Sequence, residues 1–168
     1  MFIDETSSYL NQSRAYGRAA TSKRVIDNAP RRKKKRSSLI AAVTKQGLSG
    51  EHCLVHPDSV NKTAFKTYLS EVLLPNLDPG SILVMDNWTI HKGDDIKQLV
   101  ESHGCSIRYL PTYSPDLNPI EFLFGKIKAL VKKLRPLTLP DLLQAFADAV
   151  LSVSSQDAAN TFEHCGYS

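Results

Sequence analysis

Three carboxylates in this chain lie where chemistry is usually placed. Phe2-Ile3-Asp4-Glu5-Thr6 sets paired acids at the end of a short apolar run. Ile82-Leu83-Val84-Met85-Asp86-Asn87 sets an acid directly after four apolar residues. Asn118-Pro119-Ile120-Glu121 sets one in the first turn of a predicted helix. Carboxylates are hard oxygen ligands suited to Mg²⁺ or Mn²⁺. Three of them on rigid elements could hold two ions about 4 Å apart, the arrangement that drives in-line phosphoryl transfer. Strand chemistry on DNA or RNA is the leading reading. No nucleophile–base–orienter trio is evident among the Ser, Cys and His residues, and two-metal chemistry requires none.

Each acid has a plainer explanation as well. Asp86 follows a run too short for a buried helix and fit for a central parallel strand. It then falls at the carboxyl edge, where open α/β sheets bind ligands, yet a strand-ending or helix-capping Asp would look the same. If Phe2 and Asp4 share a face, Glu5 points the other way, so one of the two adjacent acids joins the site and the pattern does not say which. Asn118 as N-cap, Pro119 at the first helical position and Glu121 at the third form a capping-box pattern. A helix N-terminus also favours an ionised Glu.

The elements that must position these acids follow from periodicity. Strands are expected at Met1 to Asp4, Tyr16 to Ile26 (more exposed), Ser38 to Val43 (closed by Gly47 and Gly50), Ile82 to Met85 and Ser106 to Leu110. Phe65, Tyr68, Leu69, Val72 and Leu73 mark one helix face between Asn61 and Leu74, ended by Pro75. Ile96, Leu99 and Val100 mark a second helix. Ile120, Leu123, Phe124, Ile127, Leu130, Val131 and Leu134 mark a long third, and Leu142, Leu143, Phe146, Val150 and Val153 a last one. The fold class is α/β, a mixed five-stranded sheet flanked by helices.

The 168 residues suit one domain, residues 1–168. A net charge of +4 favours polyanionic partners. The excess is local: Arg31, Arg32, Lys33, Lys34, Lys35 and Arg36 form an unbroken run, and Lys126, Lys128, Lys132 and Lys133 crowd the third helix. Such a run is a solvated loop or a phosphate-binding one. Trp88 and His91, soon after Asp86, are packing residues or substrate-positioning ones. Cys53, Cys105 and Cys165 are scattered, which argues against a disulfide framework and suits a reducing cytosol. Nearby histidines lack zinc-ligand spacing. No apolar stretch approaches a membrane span and no signal peptide opens the chain, so a cytoplasmic protein without membrane contact is expected.

With those residues in hand, the chain resembles the catalytic domain of DDE transposases of the mariner superfamily, in its bacterial insertion-sequence branch. The resemblance covers nearly the whole chain. Phe2-Ile3-Asp4-Glu5-Thr6 with Arg14 to Ala19 is similar to the family's first-aspartate strand and the turn after it. Met85-Asp86-Asn87 with His91 is similar to its second motif. Tyr113-Ser114-Pro115-Asp116-Leu117-Asn118-Pro119-Ile120-Glu121 is similar to its third and is the most specific string. The 34 residues between Asp86 and Glu121 match a spacing the family uses.

The resemblance implies an RNase H-like fold with Asp4, Asp86 and Glu121 as the catalytic and metal-binding triad. Asn87, Trp88, Asn118 and Pro119 would support it. His91 and the basic residues named above would contact DNA. It further implies two Mg²⁺ or Mn²⁺ ions, cleavage at the ends of a mobile element, and joining of its 3′ ends to target DNA. A homodimer on DNA is implied, in the bacterial cytoplasm or nucleoid. Two departures stand out: Phe124 replaces a Trp often found after the catalytic Glu, and the N-terminal helix-turn-helix region is absent from this sequence. The chain opening directly in a core strand suggests that Met1 is an internal start, or that an upstream domain is encoded separately or lost. Three alternatives remain: an RNase H-type nuclease, a catalytically inactive DNA-binding remnant, and a phosphoacceptor domain, for which the Glu121 motif and basic surface have no use.

Overall fold

The computed structural model describes residues 1–12, 18–24, 26 and 35–167. Five strands form one sheet: β1 (Phe2–Tyr9), β2 (Arg36–Thr44), β3 (Gly47–His56), β4 (Ile82–Met85) and β5 (Ser106–Tyr109). Their order is β3-β2-β1-β4-β5. The first three strands are antiparallel neighbours, while β4 runs parallel to both β1 and β5. This is the mixed, RNase H-like sheet expected from the sequence.

Alternation along the strands divides the core in two. Phe2, Leu39, Ala41 and Val43 face the three later helices, α3 (Pro119–Leu134), α4 (Leu139–Leu151) and α5 (Ser155–His164). Ile3, Ile40, Ala42, Leu83 and Met85 face α1 (Lys62–Thr67) and α2 (Asp94–Ser102). Because β2 lies between β1 and β3 with both faces covered, Ser37 through Val43 are all buried. Its run of apolar residues is the sequence signature of that position.

Several elements differ from expectation. The exposed strand expected over Tyr16 to Ile26 is missing from residues 18–24, which are turn and irregular chain; Tyr16 and Gly17 lie outside the described residues. The fifth strand is β3 instead. Gly47, at φ 142°, begins it after the Lys45–Gln46 turn, and Gly50 lies inside it. This edge strand is half-exposed, with a register shift between Ala41 and Val43 of its partner. Its polar Ser49, Glu51 and His52 conceal it from an apolar-run reading.

Asn61 caps α1 through its side chain, as its position suggests, but the helix passes into a π-helical turn at Tyr68–Leu73 and a 3₁₀ turn at Leu74–Asn76. The last expected helix is two. After α4 ends, Ser154 and Asp157 form a reciprocal capping box that starts α5.

Candidate functional site

The register of β1 against β4 builds the centre of the site. Phe2 pairs with Val84 and Ile3 with Met85, and there β4 ends while β1 continues. Asp4 and Asp86 are the residues that follow the last ladder pair on the two strands. Both acids emerge at the carboxyl edge of β4. The third element is α3. Asn118, its N-cap residue, donates its side-chain amide to Asp4 Oδ2 at 2.8 Å. That contact sets the first turn of α3, and Glu121 within it, against the end of β1.

The capping box that the sequence suggests does not form. Asn118 makes no side-chain capping bond to the helix: its amide nitrogen donates to Asp4, and Oδ1, the atom a cap would use, has no hydrogen-bond partner. The Glu121 side chain is exposed and makes no hydrogen bond or ion pair among the described residues, while its backbone N–H donates to the Asn118 carbonyl. Pro119 is buried at the first helical position.

The adjacent acids of β1 go to opposite sides, as alternation requires. Asp4, 7% exposed, takes bonds from the Glu5 amide at 2.7 Å and from Asn118. Glu5 turns to the other face, where both of its oxygens meet His91 Nε2 at 3.0 and 3.1 Å. The other imidazole nitrogen, Nδ1, lies 2.7 Å from Asp86 Oδ1. Glu5 is therefore connected to Asp86 through His91, a link that the one-acid-only reading of the pair misses.

The segment after β4 folds back sharply to make this possible. A 3₁₀ turn at Thr89–His91 returns His91 to the strand end. The Trp88 amide donates to Asp86 Oδ1 at 2.9 Å, Tyr109 Oη donates to the His91 carbonyl, and Asn87 donates to the Leu110 carbonyl at the end of β5. The His91 ring packs on Phe65 at 4.5 Å between centroids.

The electrostatics follow from this geometry. Burial pushes the Asp4 carboxyl up to about 7, and the charges of Glu5, Glu121 and Asp86 push the same way. The hydrogen bond from His91 holds Asp86 below the usual carboxylate range. Burial works against charge on His91, but bonds to Asp86 and Glu5 outweigh it and raise the ring to about 10. An imidazole with carboxylate oxygens at both nitrogens must donate from both.

Asp4, Asp86 and Glu121 have no Lys or Arg ion-pair partner among the described residues, and the cation paired with Asp86 is His91. The buried Asn118 Oδ1, beside Asp4, has no hydrogen-bond partner. This donor set fits a hard divalent cation in chemistry and charge. Among the described residues, however, no group of three or more His, Cys, Asp or Glu side chains is already drawn together as metal ligands.

The expected DNA contacts divide. His91 is 0% exposed with both nitrogens occupied, so it does not reach DNA directly. Lys126 is paired with Asp157 of the α5 capping box. Lys128 faces a cavity of about 490 Å³ beside Glu5, together with Arg36 and the half-exposed Trp88. Lys132 and Lys133 are exposed. Glu121, Lys128 and Lys132, at i, i+7 and i+11, share one face of α3. Lys35 is exposed, Arg36 lies 3.9 Å from Asp58, and Arg31, Arg32, Lys33 and Lys34 lie outside the described residues.

Comparison with known proteins places this geometry. The profile of the DDE superfamily endonucleases matches residues 1–142, most of the chain. The chain belongs to that family. Its fold is similar to the Mos1 strand transfer complex, with TM-score 0.76 and 17% identity over 98% of this chain and 51% of that one. The Mos1 mariner paired-end complex with Mn gives 0.76 and 16%, over 98% and 51%. The catalytic domain of Mos1 mariner transposase gives 0.70 and 13%, over 98% and 78%. At these identities the likeness is one of fold. The chain spans about half the length of the first two. No curated protein matches the sequence. No helix among the described residues is long and apolar enough to cross a membrane.

Proposed function

We propose that this DDE family member is the catalytic domain of a transposase, cutting DNA at the ends of a mobile element and joining those ends to target DNA. The observation that supports the reading is the β1–β4 register, whose last pair is followed by Asp4 on one strand and Asp86 after the other, with α3 docked on Asp4 through Asn118. Asp4, Asp86 and Glu121 are the residues that would hold divalent metal. Two bound Mg²⁺ or Mn²⁺ ions would activate the attacking water or 3′-hydroxyl and stabilise the leaving oxygen. The chain's own part is to present the ligands. Asp86 is fixed through Oδ1, Asp4 through its bonds to Glu5 and Asn118, and Glu121 stands in the first turn of α3. Glu5 is the poorer ligand, since both its oxygens are taken by His91.

Lys128 and Lys132, on the face of α3 that carries Glu121, would hold the DNA backbone leading to the acids. Trp88, 46% exposed beside Asp86, is placed to stack on a base next to the cut. A homodimer would bring two DNA ends together, and terminal-repeat recognition would come from a separate helix-turn-helix segment. Cytoplasmic location follows from that role.

One observation favours the competing reading of an inactive DNA-binding remnant: the acids are not drawn together as a ready metal site among the described residues. Nicking of supercoiled plasmid separates the two. The transposase reading expects nicking that requires Mn²⁺ or Mg²⁺ and is lost in Asp86→Asn. A remnant binds DNA equally with or without metal and never nicks it.

A further inference from the structure

Glu5 has no assigned role in the triad, yet its carboxylate is nearly as buried as the core: the side chain is 6% exposed. Its acceptor capacity goes to a single nitrogen, His91 Nε2. His91 in turn has no exposed surface and spends its other nitrogen on Asp86. Burying the Glu5 carboxylate and the His91 imidazolium beside a half-exposed Asp86 costs desolvation that apolar residues would avoid, so stability alone is a weak reason for the chain Glu5–His91–Asp86.

The atoms involved suggest another reason. Both bonds to Asp86, from His91 Nδ1 and from the Trp88 amide, fall on Oδ1. Oδ2 carries neither bond. A carboxylate gripped at one oxygen by two donors on different sides has its plane fixed, and the second oxygen is aimed. His91 itself can grip only if its ring cannot turn. Glu5 at Nε2 and Phe65 against the ring face prevent turning.

We propose that Glu5 and His91 are positioning residues that fix the Asp86 carboxylate, with Oδ1 held and Oδ2 presented to a divalent cation. The inference rests on the metal-site reading above. Outer partners of metal ligands of this kind typically change metal affinity by about 10–100-fold when removed.

The test is a Mn²⁺ titration of the purified chain, following free Mn²⁺ by electron paramagnetic resonance, with thermal melting of each variant alongside. Glu5→Ala frees the ring and is expected to weaken Mn²⁺ binding about tenfold. Glu5→Gln, whose amide oxygen still accepts from Nε2, is expected to restore most of that affinity. Should Glu5→Ala not fold, Glu5→Thr, well suited to a strand, carries the same comparison. A purely structural role would lower the melting temperature of the Ala or Thr variant and leave Mn²⁺ affinity unchanged, which overturns the proposal. Asp86→Asn separates the two levels of the argument. If it weakens Mn²⁺ binding while Glu5→Ala does not, only the positioning role fails. If Asp86→Asn also binds as the wild type does, the metal site itself is wrong.

Discussion

Asn118 Nδ2 and Asp4 Oδ2 lie 2.8 Å apart, joining the N-terminus of α3 to the first strand across 114 positions of sequence. The bond gives a buried carboxylate a donor and orients the helix that carries Glu121. Asn118→Ala removes that donor and leaves Asp4 short of a partner, which typically costs about 1–3 kcal/mol. Thermal or urea unfolding should show a loss of that size. Glu121→Gln, altering an exposed group without a partner, should leave stability within about 0.5 kcal/mol of the wild type.

The pH dependence of stability has a fixed sign. Asp4 is raised from 3.8 to about 7, so the folded chain holds that proton where the unfolded chain has lost it. Its contribution is complete below 3.8 and disappears as pH rises through about 7. His91, raised from 6.5 to about 10, contributes fully below 6.5 and loses that contribution as pH rises through about 10. Both act in the same direction. The metal-free protein should therefore melt at progressively lower temperature as pH rises from about 5 to about 9. Asp4→Asn should flatten the lower part of that slope. Mg²⁺ should raise the melting temperature more at pH 8 than at pH 6, since the ion binds the ionised carboxylates.

Lysines two residues apart on the same helix, and so on different faces of it, should behave differently. Lys128→Ala should weaken DNA binding without regard to sequence and reduce the slope of log affinity against log salt by about 1. Lys126, tied to Asp157 at the start of α5, should affect stability more than DNA affinity when replaced by Ala. Fluorescence anisotropy across a salt series, beside melting curves, distinguishes them. Equal salt slopes for wild type and Lys128→Ala would remove α3 from the DNA path.

Gly125 lies inside α3, where a Cβ would meet nothing within 4 Å. Gly125→Ala should stabilise the free protein by about 0.5–1 kcal/mol, through helix propensity alone. A fall in melting temperature would mean that the space around this turn is filled in solution.

How much of this was legible in the sequence depends on the range of the forces involved. Ile82 to Met85 announces β4 because a buried parallel strand is apolar on both faces, and Ile120 to Val131 announces α3 because one helix stripe is buried; both were read correctly. β3 escaped because an edge strand needs few apolar residues. The Ser154–Asp157 box is a local signal for the start of α5, hidden in an apolar-stripe reading because Val153 extends the stripe of α4 to its edge. Asn118 and Glu121 mislead locally: they carry the chemistry of a capping box, yet the Asn side chain is oriented by a carboxylate 114 positions away and its oxygen does not cap the helix. The same holds for His91, which local sequence leaves between packing and substrate positioning and which the resemblance assigns to DNA contact. Its burial depends on Glu5, 86 positions away, which no local pattern reveals.

The central claim is that Asp4, Asp86 and Glu121 form one divalent-metal site. The most direct test is calorimetric titration of the wild-type chain with Mn²⁺, beside Asp4→Asn, Asp86→Asn and Glu121→Gln. Saturable wild-type binding that weakens at least several-fold in all three variants is the result the geometry predicts. Wild-type binding that survives unchanged in all three variants, or wild-type protein that takes up no metal at all, would contradict it.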